Sequence, residues 1–278
     1  MTDTQTGIFY GVSREEYGKI NACNQSALKP YAKSALAGKF AEDHRESTAE
    51  QEFGTALHCL TLEPDQFKKR YAVMPKVDKR TKEGKAEMSK AETSAKGKHI
   101  LPDKGKFSVE WLEGCHKALL GHPDVNNLFS RGMEREACLV WQDEDTGIMC
   151  KALLDAIIDS AWATLGDLKS SGSSVDEDEF SFQMFKWGYH TQSAFYLDGY
   201  ITLTGKRNTN FVIVPVESKP PHHCAFYQMN GPSLALGRKT YKHLLPIWAK
   251  AKSTGEYPGL PQGIREIGVP AFRLKELT

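Results

Sequence analysis

The sequence of 278 residues lacks several features that would mark its class directly. Its net charge is only +1, from 36 basic and 35 acidic residues, so any polyanion must be bound by a local patch. Apolar runs such as residues 211–216 are far shorter than the roughly 20 residues that cross a bilayer. The first residues are polar and do not follow the signal-peptide pattern. We therefore expect a cytoplasmic protein.

Closely spaced cysteines are also missing. The six cysteines, at positions 23, 59, 115, 138, 150 and 224, form no CxxC pair. Zinc and iron–sulfur sites usually need at least one close pair of ligands, so the spacing disfavours both. Reduced thiols that pack as small apolar side chains are the favoured interpretation.

What the sequence does contain is an alternation of helical and strand patterns that predicts an α/β fold. The first sixty residues have helical patterns, including a helix that is capped near Ser47 and Thr48 and ends at Pro64. The elements predicted after it are a helix over 108–120, strands over 137–141, 148–154 and 166–171, a long helix over 177–203, a strand over 210–216 and a helix over 232–252.

Residues 76–106 differ from the rest in composition. Ten lysines and arginines face five acidic residues there, with few large apolar side chains. A solvated loop or an exposed helix is the simplest interpretation. The functional alternative is a flexible arm that contacts phosphates.

A pair of carboxylates beside a lysine is the sharpest chemical feature. Strand side chains alternate, so Asp167 and Lys169 project from one face, and a hairpin can bring Asp155 beside Asp167. Two ionised carboxylates repel unless a cation lies between them, and Mg²⁺ or Mn²⁺ suits oxygen ligands. The lysine could orient a water or neutralise charge on a phosphoryl oxygen.

The spacing of an acid two residues before a lysine is not specific by itself. It occurs three times, at residues 83–85, 167–169 and 217–219, and an isolated pair is ordinarily a surface salt bridge. Only Asp167 and Lys169 combine a predicted strand with an upstream acid, Asp155.

Further side chains could reach the same site. His58 lies on an apolar helix, where a core histidine is the ordinary role and a metal ligand the functional alternative. Gln192 and Tyr196 share one helix face, either as aromatic packing or as groups that line the site. Glu136, just before the first strand, could join the site but is expected to be mainly structural.

Together, these residues resemble the PD-(D/E)XK nuclease superfamily, in its RecB-like branch. Segments 54–60, 150–155 and 187–200 more narrowly resemble the nuclease domain of RecE-type exonucleases (exonuclease VIII). The resemblance extends from Asn24 to Val216. It implies an α/β nuclease core with a central mixed sheet flanked by helices and an added N-terminal helical region.

The resemblance also implies an activity: degradation of linear double-stranded DNA from its ends, 5′ to 3′, with Mg²⁺ or substituting Mn²⁺. The single strands would serve a RecT-like annealing protein in recombination, and the enzyme would be a homo-oligomer, a tetrameric ring in relatives. The implied metal ligands are His58, Asp155, Asp167 and the Leu168 carbonyl. The implied catalytic side chains are Asp155, Asp167, Lys169, Gln192 and Tyr196.

On this basis the chain is one nuclease domain. Its expected parts are an N-terminal helical part (1–75), the basic arm (76–106), a catalytic core (107–216) and a C-terminal strand, helix and tail (217–278). Two positions depart from the family pattern.

Leu153 replaces the usual arginine, which could weaken phosphate contact, and Gly166 replaces an aliphatic residue, which could loosen the strand. An inactive DNA-binding module of the same fold, or another nuclease of the superfamily, remains an open alternative.

Overall fold

In the computed structural model, the described residues are 5–73, 75, 77–78, 80–130 and 134–269. Their helices are α1 (Arg14–Lys19), α2 (Gln25–Leu28), α3 (Ala35–Asp43), α4 (Ala49–Leu62), α5 (Pro64–Arg70), α6 (Lys82–Ser94), α7 (Val109–Gly121), α8 (Pro123–Ser130), α9 (Glu177–Trp187), α10 (Tyr189–Thr204) and α11 (Gly231–Thr254). Their strands are β1 (Gly7–Phe9), β2 (Tyr71–Val73), β3 (His99–Leu101), β4 (Glu134–Gln142), β5 (Met149–Ile158), β6 (Ala163–Ser171), β7 (Thr209–Glu217) and β8 (Tyr227–Gln228).

A six-stranded sheet forms the centre, in the order β1-β4-β5-β6-β7-β8. All neighbouring strands are antiparallel except β6 and β7, so the sheet is mixed. Helices α10 and α11 cover one face, and α4, α7 and α8 cover the other. Each face has its own apolar core, and the predicted α/β fold with a mixed sheet flanked by helices is confirmed.

The segment before β4 follows its helix signals closely. Helix α4 begins after Thr48, whose hydroxyl accepts from the Gln51 N–H while the Gln51 side chain accepts from the Thr48 N–H. Helix α7 begins after Ser108, whose hydroxyl accepts from the Trp111 N–H. The first sixty residues also contain β1, which pairs with β4 and was not predicted.

The predicted long helix over 177–203 is wrong. It is two helices, α9 and α10, separated by Gly188, whose left-handed φ of 73° ends α9. Only glycine adopts this conformation at no steric cost, so the chain turns there. The turn matters because it lets α10 lie across the sheet beside the predicted site.

The basic segment 76–106 contains helix α6 and strand β3, which pairs in parallel with β2. Most side chains of α6 are exposed, which agrees with the exposed-helix interpretation. Lys76 itself lies outside the described residues. Over the described ranges, no helix is long and apolar enough to cross a membrane.

The crossing of α10 and α11 is close enough to require a glycine. A β-carbon on Gly237 would lie 2.2 Å from the carbonyl oxygen of His190.

We therefore expect Gly237→Ala to destabilise the fold by about 1–3 kcal/mol or more, because the backbone of α10 cannot move aside as a flexible side chain can. Urea unfolding measures this loss. Gly231→Ala is the control, since Gly231 lies in the same helix with open space around it; an equal effect of both changes would contradict the interpretation.

Candidate active site

The predicted site lies where β5 and β6 separate. These strands pair only from Ala156 to Ile158 and from Thr164 to Gly166, although both continue beyond this stretch. Past the last pair, β5 stays with β4 and β6 stays with β7. The opening between them, here called the fork, leaves Asp155 and residues 167–169 outside the β5–β6 ladder.

Asp155 closes the narrow end of the fork. Its Oδ2 accepts a hydrogen bond from the backbone N–H of Leu168 at 2.7 Å. This bond takes the place of a backbone hydrogen bond that a continued β5–β6 ladder would form. Its Oδ1 lies 3.1 Å from Nδ1 of His58, on α4. The helix comes this close because Gly54 has no β-carbon; one there would meet Ser170 Oγ at 3.0 Å. The sequence thus brings His58 and Asp155 together across 97 residues.

Asp167 and Lys169 lie on the same side of β6, as strand alternation predicts. Asp167 is 3% exposed and forms an ion pair with the Lys169 ammonium. Lys169 Nζ also lies 5.1 Å from the ring centroid of Tyr189, the first residue of α10. The lysine is therefore held in place by a carboxylate and an aromatic ring.

Helix α10 contributes an amide and a phenol, as their spacing predicts. Gln192 Nε2 donates to Asp167 Oδ1 at 3.1 Å and to the Tyr196 hydroxyl at 3.1 Å. The fork therefore brings together His58, Asp155, Asp167, Lys169, Gln192 and Tyr196. Tyr189 was missed, although it lies three residues before Gln192 on the same helix face, a signal the sequence contains.

Burial and charge drive the pKa values of the two carboxyls apart. Burial raises the pKa of Asp167, and although Lys169 opposes this, the nearby Asp155 adds to it. Burial acts to raise the pKa of Asp155 as well, but His58, Lys169 and the Leu168 N–H stabilise its ionised form, so its pKa is lowered. Two negative charges buried close together are unfavourable, so one carboxyl of such a pair ionises more readily than the other.

The two cationic partners are stabilised in return. Burial acts to lower the pKa of Lys169, but Asp167 outweighs it and the pKa is raised. Burial likewise acts to lower the pKa of His58, and Asp155 outweighs it. Lys169 is thus held as an ammonium, which can stabilise negative charge but cannot accept a proton.

One of the two departures from the predicted family pattern, Gly166, has a local explanation. Gly166 does not loosen β6, because it pairs with Ala156 on β5 and Val212 on β7. A β-carbon there would lie 3.0 Å from Leu128 of α8, so the glycine permits close packing. Leu153 is half-buried. Two residues earlier, the ammonium group of the buried Lys151 donates hydrogen bonds of 2.8 Å to backbone carbonyls of the α1 segment.

A groove of about 600 Å³ leads to His58 from solvent. Arg14, Arg45 and Glu46 line it together with Gln51 and Thr55 of α4. Glu136 lies in a neighbouring cavity beside Glu63, and burial, followed by Glu63, raises its pKa to about 7. Glu136 lies opposite Asp155 in the β4–β5 ladder, because its neighbours at 135 and 137 pair with residues 156 and 154. The sequence predicts a mainly structural role for it.

The six cysteines are free thiols. Five are buried, and burial raises their pKa values, for example that of Cys138 to about 11. Protonated, shielded thiols of this kind are poor nucleophiles and agree with a packing role.

Residues 16–264 match the family described as PDDEXK-like domain of unknown function (DUF3799). This chain belongs to that family. The PD-(D/E)XK superfamily predicted from the sequence is confirmed, whereas the RecB-like branch and the narrower resemblance to RecE-type exonucleases stay predictions.

Solved structures extend the likeness in fold. A protein from Eubacterium rectale, described as a "Putative exonuclease", has a TM-score of 0.63 and 16% identity, over 96% of this chain and 98% of that chain. At this identity the likeness shows the fold alone. The structure of SSO0001 has a TM-score of 0.30 and 15% identity, over 50% of this chain and 67% of that chain. No curated protein matches the sequence.

PDDEXK-like nucleases generally use divalent metal ions, so the fit of the fork to such an ion matters. Among the residues with described positions, no three His, Cys, Asp or Glu side chains form a group that could hold a metal. Two carboxylates do meet here, and the buried Asp167 Oδ2 has the Lys169 ammonium as its ion-pair partner but accepts no further hydrogen bond. Mg²⁺ is commonly held by one or two carboxylates plus waters and substrate phosphates, so this DUF3799 chain fits it. Ligand roles for His58 and the Leu168 carbonyl stay predictions.

We expect Mg²⁺ to stabilise the wild type through Asp155 and Asp167. At a concentration about one hundred times its dissociation constant, a ligand that binds only the native state adds about 2.7 kcal/mol to the free energy of unfolding. A thermal melt detects this as a higher melting temperature. Asp155→Asn or Asp167→Asn should remove this response, because each deletes one of the two carboxylates. Asp159→Asn is the control, since Asp159 is an exposed carboxylate at the far end of β5; an unchanged response in the two site variants would exclude the fork as the binding site.

Proposed function

We propose that this protein is a metal-dependent exodeoxyribonuclease that degrades linear double-stranded DNA from its ends, in the 5′-to-3′ direction. The observation that carries the proposal is the fork itself, in which two buried carboxylates and a protonated lysine converge, with His58 linking Asp155 to a groove that Arg14 and Arg45 line. Membership of the PDDEXK-like family supports phosphodiester hydrolysis. The resemblance to RecE-type exonucleases supports the direction and the DNA substrate.

The side chains have separate tasks in this mechanism. Asp155 and Asp167 would hold Mg²⁺, or Mn²⁺ as a substitute, which when bound lowers the pKa of water and neutralises phosphoryl charge. Lys169 places a fixed positive charge beside the reacting phosphate. Gln192 fixes the orientation of Asp167 and of Tyr196 by donating to both. His58 holds Asp155 from the opposite face of the sheet.

The groove supplies a path for the DNA backbone. Arg14 and Arg45 can pair with phosphates while His58 marks the inner end. The near-neutral net charge is compatible with this, because a homo-oligomeric ring would concentrate local basic surfaces on a shared channel. By the same resemblance, the ring is a tetramer and its product is passed to a RecT-like single-strand annealing protein.

The test is digestion of end-labelled linear duplex beside a closed circle, with and without Mg²⁺. The proposal predicts loss of the linear substrate alone, only with metal, and release of label from the 5′ end. Cutting of the circle would indicate an endonuclease of the same superfamily. Binding without digestion would indicate the alternative, an inactive nuclease-fold module, which the presence of both carboxylates and Lys169 disfavours.

Removing Lys169 or Asp167 should lower the rate of digestion at least about 100-fold, the usual loss when a charge that stabilises the transition state is removed. Lys169→Ala and Asp167→Ala are compared with wild type by initial rate, and circular dichroism checks the fold. Lys219→Ala is a matched control, because Lys219 has the same spacing from an acid but is exposed and outside the fork. Wild-type rates in the Lys169 and Asp167 variants would refute the assignment.

A further inference from the structure

An exposed aromatic and basic cluster lies outside the fork, where α9 ends. We call it the α9 patch: Phe182, Phe185, Lys186 and Trp187, with Lys29 from the segment after α2. The three aromatic side chains are 77%, 66% and 50% exposed. Large apolar side chains that gather on a surface mark a binding site more often than single exposed ones do.

The charge of the α9 patch is unbalanced. Lys29 Nζ lies 4.7 Å and Lys186 Nζ 5.3 Å from the ring centroid of Trp187, so two ammonium groups share one ring. Neither lysine takes part in an ion pair with any residue whose position is described. Burial and then the nearby Lys186 lower the pKa of Lys29. An anion placed between the two lysines would relieve this repulsion.

Phe185 offers an open aromatic face beside these charges. One side of its ring stacks on His190, with centroids 5.5 Å apart and planes 13° apart. Its high exposure leaves the other side to solvent. Phe182 precedes it by three residues on the same helix face. Nucleobases stack on such faces without sequence preference, while lysines hold the backbone.

The α9 patch is nearly adjacent in sequence to a residue that contacts the fork. Gly188 alone separates Trp187 from Tyr189, whose ring contacts Lys169. His190, which stacks on Phe185, follows directly in the same helix that carries Gln192 to Asp167. A polymer bound in the fork would therefore reach the patch within a short length.

We propose that the α9 patch binds one unpaired nucleotide of the nucleic-acid substrate. Its base stacks on the open face of Phe185, and its phosphate lies between Lys29 and Lys186. The inference rests on the proposed nuclease function, since it concerns the same polymer. The unpaired lysines favour a polyanion over a protein partner, because an apolar protein surface would leave their charge uncompensated.

The test is binding without catalysis. Fluorescence anisotropy in EDTA compares labelled duplex that carries a short single-stranded tail with blunt duplex. Phe185→Ala should weaken binding of the tailed duplex about tenfold, the usual contribution of one stacked base, and should affect the blunt duplex less. Phe185→Tyr should restore binding because it keeps the ring. Lys29→Ala with Lys186→Ala should lower the salt dependence of tail binding.

Phe40 provides a matched control. It is 62% exposed and stacks on His44, with centroids 4.1 Å apart, as Phe185 stacks on His190. Its neighbour Lys39, however, is already paired with Asp43. Phe40→Ala should therefore leave binding of the tailed duplex unchanged.

The outcomes separate this inference from the proposed function. Wild-type affinity of Phe185→Ala for the tailed duplex would overturn the inference even if the enzyme digests DNA. Lost affinity in Phe185→Ala, with no digestion by the wild type, would support the inference and refute hydrolysis. If Phe185→Ala instead changes the oligomeric state in sedimentation and leaves binding intact, the α9 patch is a contact between copies and the inference is wrong.

Discussion

The fold around the fork depends on the neutralisation of two buried carboxylates. An ionised carboxylate in a protein interior is costly unless a cation or several hydrogen bonds compensate it. Asp155 and Asp167 are both buried, and their partners come from three elements: His58 from α4, Lys169 and the Leu168 N–H from β6, and Gln192 from α10. Helices α4 and α10, on opposite faces of the sheet, thus each contact one of these two carboxylates.

The separation of β5 and β6 makes this arrangement possible. A continuous ladder would place backbone hydrogen bonds where the carboxylate of Asp155 now accepts the Leu168 N–H. Close packing elsewhere maintains the opening: Gly166 lets β6 approach Leu128, and Gly54 lets α4 approach Ser170. Stability and site geometry therefore rest on the same contacts, which is common where charged groups are held ready for a substrate or an ion.

The geometry also assigns different kinds of work to different surfaces. In the proposed function, the fork contains the reacting groups, with Lys169 as a fixed cation. The groove lined by Arg14 and Arg45 is then the path for phosphates, and the exposed α9 patch is the site for an unpaired base. These assignments join into one proposal for how a nearly neutral chain handles a polyanion.

Local patterns in the sequence were enough to predict the helix after Thr48, the strand hairpin and the faces shared by Asp167 with Lys169 and by Gln192 with Tyr196, since these follow from capping and periodicity. They could not locate the break at Gly188, because a glycine in a long apolar pattern is compatible with both a continuous and a broken helix. The meeting of His58 with Asp155, and the separation of β5 from β6, depend on contacts between residues far apart in the chain. Only the packing of helices on both sheet faces decided them, because periodicity describes one element at a time and carries no information on how two elements dock.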